Sequence, residues 1–219
     1  AFYSCGEIVK ILLPSTLTTL GKEAFYGCKK VTEINCGGVT VIPQRAFYNC
    51  GKLVKLTMSD DVTEIGPSAF ASCNLLADIT WPSQLVTIGD TAFNYCRALK
   101  NLDLSGTKVE TIGKSAFAQC YEARVLILPE TIKTVGATAF NYLNYNKTGY
   151  VTEVNIPASL TFISKDAFNH ANRLQNITVS EGNQVYTASN GVLFLKTGEI
   201  HIWPAANSTD VFTVPADVT

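Results

Sequence analysis

The chain has 219 residues, 47% hydrophobic and only 16% charged, against the ~25% charge usual in soluble domains, so a long core can be buried. The 17 Lys+Arg and 18 Asp+Glu nearly cancel, and no basic run could neutralise a phosphate backbone, which argues against a nucleic-acid partner. No apolar stretch approaches the ~20 residues of a membrane-spanning helix, and no basic segment followed by an apolar one opens the chain as a signal peptide would.

A five-residue pattern, typified by Ala92-Phe93-Asn94-Tyr95-Cys96, organises the sequence. Copies open at Ala1, Ala24, Ala46, Ala69, Ala92, Ala116, Ala139 and Ala167, with separations of 23, 22, 23, 23, 24, 23 and 28 residues. A period of this length means a stacked solenoid whose coils bury one another. Residues 1–219 therefore read as a single array of about eight units of 22–28 residues. The array starts inside one unit and stops inside another, which reads as an excerpt truncated at both ends.

Each unit runs from Ala-Phe into a strand of the form L-x-x-I-x-I, then V-x-x-I-G, then a polar pair. In the fifth unit Leu99, Leu102 and Leu104 form the first apolar set, Val109 and Ile112 the second, and Gly113 the turn. Strand alternation points Leu102 and Leu104 inward and Asn101 and Asp103 outward. Eight such strands predict one parallel sheet. Before each Ala-Phe, residues such as Gly66-Pro67-Ser68, Asp90-Thr91 and Lys165-Asp166 carry helix-start chemistry and predict a single turn of α or 3₁₀ helix. The Phe of every unit should then join a buried aromatic stack.

Six of the seven cysteines (Cys5, Cys28, Cys50, Cys73, Cys96 and Cys120) stand three residues after their unit's Phe and form one column; Cys36 lies in a second buried column with Leu13, Met58, Trp81, Leu104 and Leu128. A column of small core residues, a set of disulfides and a metal site are the alternatives. The ~4.8 Å between coils slightly exceeds the Cβ separation of a disulfide, and no C-x-x-C pair is present, so the core column is favoured. Two places break the pattern. After Phe140, Leu143 replaces the cysteine and a polar segment, 144–149, precedes the strand that resumes at Val151. At about 180–204, Val192-Leu193-Phe194-Leu195 and Ile200-His201-Ile202 flank Lys196-Thr197-Gly198 and predict a β-hairpin, with a repeat strand resuming at Phe212-Thr213-Val214.

The unit L-x-x-I-x-I-P, V-x-x-I-G, A-F-x-x-C resembles the BspA-like, or Treponema-type, leucine-rich repeat over nearly the whole chain. Departures are local: Pro43 and Ser164 stand where Gly is usual, Leu143 and Ala171 replace Cys, and Cys36 replaces Ile. The resemblance implies an α/β leucine-rich-repeat solenoid, horseshoe-like, with a parallel sheet on the concave side and short strands and single-turn helices elsewhere. It also implies an extracellular or cell-surface protein of a bacterium or parasitic protist. The family is linked to adhesion to host matrix proteins such as fibronectin, and to other cells.

No catalytic, cofactor or metal constellation is found. His170 and His201 belong to no metal-spaced pair, and Gly113-Lys114-Ser115 lacks the first Gly of a phosphate loop, Lys108 standing in its place. The remaining candidate is the outward face of the strand ladder. There Asp78, Thr80, Asn101, Asp103, Glu153 and Asn155 surround an apolar spot made by Val125 and Ile127. Such a wall suits a protein or a glycan, and the resemblance implies a surface protein of a host or neighbouring cell or an extracellular matrix protein as the partner. The alternatives are a solvated sheet face with no ligand, and a spacer within a larger surface protein.

Overall fold

The computed structural model describes residues 2–145 and 151–208; the polar segment after Tyr145 and the strand expected at Phe212 lie outside them, wholly or in large part. Seven strands carry the L-x-x-I-x-I segments: β1 (Lys10–Leu12), β2 (Glu33–Asn35), β4 (Lys55–Thr57), β7 (Asn101–Asp103), β9 (Val125–Ile127), β11 (Glu153–Ile156) and β13 (Asn176–Val179). Where they pair, they pair parallel and in register, unit on unit, with Asn101 opposite Val125 and Glu153 opposite Asn176.

The single eight-stranded sheet does not form. The main strands fall into three panels, β1-β2-β4, β7-β9 and β11-β13. One gap has a local chemical cause. In regular rungs a backbone N–H reaches the carbonyl one residue before its partner, as Lys55 does to Thr32 at 3.1 Å. By that rule Ile79 would donate to Asn101 and Asp103 to Ile79. Instead the Asn101 side chain accepts the Asp103 N–H at 3.0 Å, and the Trp81 indole N–H reaches the Asn101 carbonyl at 3.4 Å. Both ladder positions are captured by side chains, and Asp78–Thr80 is not a strand. The other gap, between β9 and β11, follows the unit lengthened to 28 residues.

Continuity lies elsewhere. The V-x-x-I segments give β3 (Val41–Ile42), β5 (Glu64–Ile65), β6 (Thr87–Ile88), β8 (Thr111–Ile112), β10 (Thr134–Val135) and β12 (Phe162–Ile163), which join in one six-stranded parallel sheet. The glycines after these strands have a steric reason. A Cβ on Gly66, Gly89, Gly113 or Gly136 would come within 2.6 to 2.9 Å of a backbone nitrogen of the preceding coil. That close approach lets each glycine N–H bond the preceding coil's Ile carbonyl, as from Gly89 to Ile65 at 2.7 Å. Pro43 is tolerated because it follows β3, the first strand of the sheet.

The corners correct the expectation of helical turns: among the described residues there is no helix. The residue before Ala (Glu23, Arg45, Ser68, Thr91, Ser115, Thr138) has φ of 52–56°, and the residue before the ladder Cys or, at Tyr142, before the Leu143 that replaces it (Gly27, Asn49, Ser72, Tyr95, Gln119, Tyr142) has φ of 54–69°. Two left-handed residues per corner cannot continue a right-handed helix. They make a run of tight turns in which amides alternate. Tyr26 and Cys28 donate within the turn, whereas Glu23, Phe25 and Gly27 donate to the next coil at Gln44, Ala46 and Tyr48. Ser68 and Thr91, expected to start helices, instead share a hydroxyl hydrogen bond of 2.6 Å from one coil to the next. At the last corner Asp166 accepts the Thr138 N–H through its side chain.

Inside this frame the Phe rings stack from Phe2 to Phe168 at centroid separations of 5.2 to 5.8 Å. Those distances exceed the ~4.8 Å strand spacing, so the rings are offset, as their quadrupoles favour. All seven cysteines are free. Each ladder thiol beyond Cys5 donates to the Phe carbonyl one unit back, from Cys96 to Phe70 at 3.2 Å for example, a bond that Leu143 and Ala171 cannot make. Burial pushes the Cys36 and Cys50 thiols up to about 12, and Cys73 and Cys96 well above the ordinary value.

At the far end β14 (Tyr186–Ser189), β15 (Val192–Leu195) and β16 (Ile200–Ile202) form an antiparallel meander, one strand more than the hairpin expected from the sequence. Asn190 and Gly191 make the first turn with φ of 50° and 78°. The meander seals the open edge of the six-stranded sheet. The Ile163 N–H donates to the Tyr186 phenol at 3.0 Å, and the Ile163 carbonyl meets His201 Nε2 at 2.6 Å.

At the opposite end Glu33 joins Lys10 at 2.9 Å and Lys55 at 2.7 Å along the first panel. Hydrogen bonds from Lys55 and then Lys10 hold its carboxyl at about 2, down from 4.5. Because the folded value is depressed, this cluster's contribution is complete above about 4.5 and is lost as pH falls toward 2.

Three outcomes are expected. Thiol titration of the native chain should report Cys5 alone reacting promptly, Cys5 being the one cysteine that is not buried, and all seven reacting after denaturation. Gly136→Ala, whose Cβ would meet only backbone, should destabilise by about 1–3 kcal/mol in chemical unfolding. In NMR titrations, Lys55→Ala should move the Glu33 midpoint up from about 2 toward 4.5; an unmoved midpoint would remove the charge cluster as the cause.

Candidate functional site

The outward side chains of the main strands form two columns, and each panel treats them differently. In the first panel Lys10 and Lys55 share the Glu33 carboxylate beside Leu12, which is 62% exposed. In the last, Asn176 donates to Glu153 at 3.2 Å, Thr178 to Asn155 at 3.0 Å, and Asn155 to Ser180 at 2.8 Å. These polar groups satisfy their neighbours along the stack.

The central panel carries the apolar spot. Val125 and Ile127 on β9 are 38% and 44% exposed, while Leu126 between them is buried. Opposite them on β7 stand Asn101 and Asp103. Of the residues singled out from the sequence, these four form one paired patch. Glu153 and Asn155 lie on β11, which neighbours β9 without ladder hydrogen bonds. Asp78 and Thr80 are exposed but sit on the segment that has left the sheet.

That departure opens a hollow of about 330 Å³ between the Ile79–Trp81 segment and β7, walled by Asn101, Asp103 and Ser105 and extending to Thr107. Trp81 is half-buried, its ring edge-on to Phe93 and Phe117 at 5.3 and 5.9 Å. Sequence reasoning placed Trp81 in a buried column and missed its opening to the wall. The available signal was its size in a column otherwise filled by Leu, Met and Cys. Ser105 was missed too; its N–H and hydroxyl both donate to Asp103 Oδ1, at 3.0 and 2.6 Å. A larger hollow of about 680 Å³ lies between β13 and the meander, lined by Thr178, Glu181, Asn183 and Lys196 among others.

Away from the wall, the Arg97 guanidinium carbon lies 5.4 Å from the Tyr95 ring centre and 5.7 Å from that of Tyr121, and His170 stacks on Tyr142 at 4.4 Å. These groups satisfy one another across coils. Among the described residues, no three His, Cys, Asp or Glu side chains are placed to hold a metal ion, and no helix is long and apolar enough to cross a membrane.

Comparisons with known proteins agree with this architecture. A search of curated protein sequences finds no match. Among solved structures, a leucine rich cell surface protein from Faecalibacterium prausnitzii A2-165 superposes with a TM-score of 0.61 at 23% identity over 96% of this chain and 50% of its own. A leucine-rich repeat protein from Bacteroides ovatus gives 0.55 at 23% identity over 82% of this chain and 57% of its own. The T. pallidum leucine rich repeat protein gives 0.51 at 24% identity, over 80% and 69%. At these identities the likeness shows the fold, and the chain spans about half the length of the first of them. The BspA type leucine rich repeat region matches in six copies, over residues 1–120, 40–147 and 91–194. The chain belongs to the BspA-type leucine-rich-repeat family.

Proposed function

We propose that the chain is a non-enzymatic recognition module, displayed outside the cell or at its surface, that holds a protein or glycan against its main-strand wall. The observation that carries this reading is the exposure of Val125 and Ile127 within a polar surround formed by Asn101 and Asp103. Binding energy concentrates in apolar centres that lose water inside a polar rim. A fold shared with a protein described as a cell surface protein supports the placement.

A spacer function is the second reading, and one observation favours it. The Glu153, Asn155, Asn176 and Thr178 side chains and the Lys10–Glu33–Lys55 row bond among themselves, which suits a wall that only has to be wet.

Replacing Val125 and Ile127 together with Lys separates the two readings. Pull-down against matrix proteins and a glycan array should identify a binder, and the double variant should weaken it by more than about 1 kcal/mol, or about fivefold in Kd, with the thermal transition nearly unchanged because both sites are exposed. Unchanged binding would remove the patch from recognition, and silence across both assays would favour the spacer.

A further inference from the structure

We infer that the hollow beside Trp81 is a saccharide subsite that takes one pyranose ring through an aromatic contact, a fixed amide donor and a fixed carboxylate acceptor. The inference rests on reading the main-strand wall as the recognition face, and it names the ligand class for one part of it.

Beside this hollow the sheet gives up two ladder bonds. In a continuous ladder Ile79 would bond Asn101 and Asp103 through its N–H and its carbonyl, and both partners are taken by side chains. Ile79 lines the hollow, and neither its N–H nor its carbonyl has a hydrogen-bond partner among the described residues. Backbone groups set aside from a ladder pair with water or with a polar ligand that displaces it. A hydroxyl both donates and accepts, so adjacent sugar hydroxyls can serve the N–H and the C=O of a single residue.

The side chains around Ile79 are fixed in advance. The Asn101 side-chain oxygen is occupied by the Asp103 N–H, which leaves its amide NH₂ as the group offered to a ligand. Asp103 Oδ1 is held by the Ser105 N–H and hydroxyl, which leaves Oδ2 as an acceptor. Trp81 is pinned by two edge contacts to the Phe stack and by its indole N–H. Ordered groups of this kind lose little rotamer freedom on binding. At about 330 Å³ the hollow sits at the lower end of ligand pockets, a size for one sugar ring rather than an oligomer. A guanidinium is the competing ligand, since a carboxylate beside an indole also suits a cation. Two features favour the sugar: the Asn101 amide and the Ile79 N–H are donors, and a guanidinium accepts from neither.

The chain holds only two tryptophans, Trp81 and Trp203, so Trp203→Phe leaves Trp81 as the sole indole reporter. In that background, titration with a panel of methyl pyranosides should give a saturable change in Trp81 emission for at least one sugar, with Kd on the order of 1 mM. Asn101→Asp keeps the bond to the Asp103 N–H but removes the amide donor, and Asp103→Asn keeps an acceptor for Ser105 but removes the carboxylate. Each should weaken that sugar about tenfold while the thermal transition holds. The subsite is overturned if no sugar saturates, if both variants bind as before, or if N-acetylarginine amide saturates where the sugars do not. Matrix-protein binding that still depends on Val125 and Ile127, with no sugar response, overturns the subsite alone. Loss of both overturns the wall as a recognition face.

Discussion

Amides handed from one corner to the next set the geometry of the whole stack. Phe25 donates to Ala46, Phe47 to Ala69, Phe70 to Ala92, and so on to Phe140 and Ala167, at 2.8 to 2.9 Å throughout. With each corner held one strand spacing above the last, the Phe rings stack, the ladder thiols point at a Phe carbonyl one unit back, and at Gly66, Gly89, Gly113 and Gly136 the preceding coil leaves no room for a Cβ. The left-handed residues are part of the same constraint. Left-handed backbone costs a non-Gly residue about 1–2 kcal/mol, while a buried amide left unpaired costs about 1–3 kcal/mol. The conformation that satisfies the amide prevails even at Arg45 and Thr91, residues with no intrinsic liking for it.

What the sequence revealed follows from that balance. Columns built from side-chain identity were legible: Phe, Cys and Gly recur because each contacts its own kind or a fixed backbone atom in the adjacent coil. The corner conformation was not. Ser68 and Thr91 before Ala look like helix starts because short hydroxyl residues do start helices, and nothing local announces that their own N–H groups go to the next coil. The exposure of Val125 and Ile127 could be read from alternation, whereas the loss of Asp78–Thr80 from the sheet could not. Its pattern is a proper strand pattern, and the cause lies one unit ahead, where the Asn101 side chain captures an amide two residues along its own chain.

The wall combines two kinds of polar surface. Glu153, Asn155 and Glu33 use their neighbours as hydrogen-bond partners and so hold coil to coil. Asn101 and Asp103 use their own turn, so part of each side chain stays committed inward and part faces the solvent. Family membership fixes the scaffold, and this difference in bonding marks where along it a ligand would find fixed, unshared groups.

The two ladders also differ in mechanical continuity. The six-stranded sheet runs without interruption from β3 to β12, whereas the main strands are cut between β4 and β7 and again between β9 and β11. The array is thus a spine carrying three slats. Tilting one slat against the next at either cut breaks no strand-to-strand bond of the main ladder, while the same motion along the spine would break several. The wall is thus divided into three panels by breaks in its own hydrogen bonding, while one continuous sheet and the stacked core run unbroken behind them.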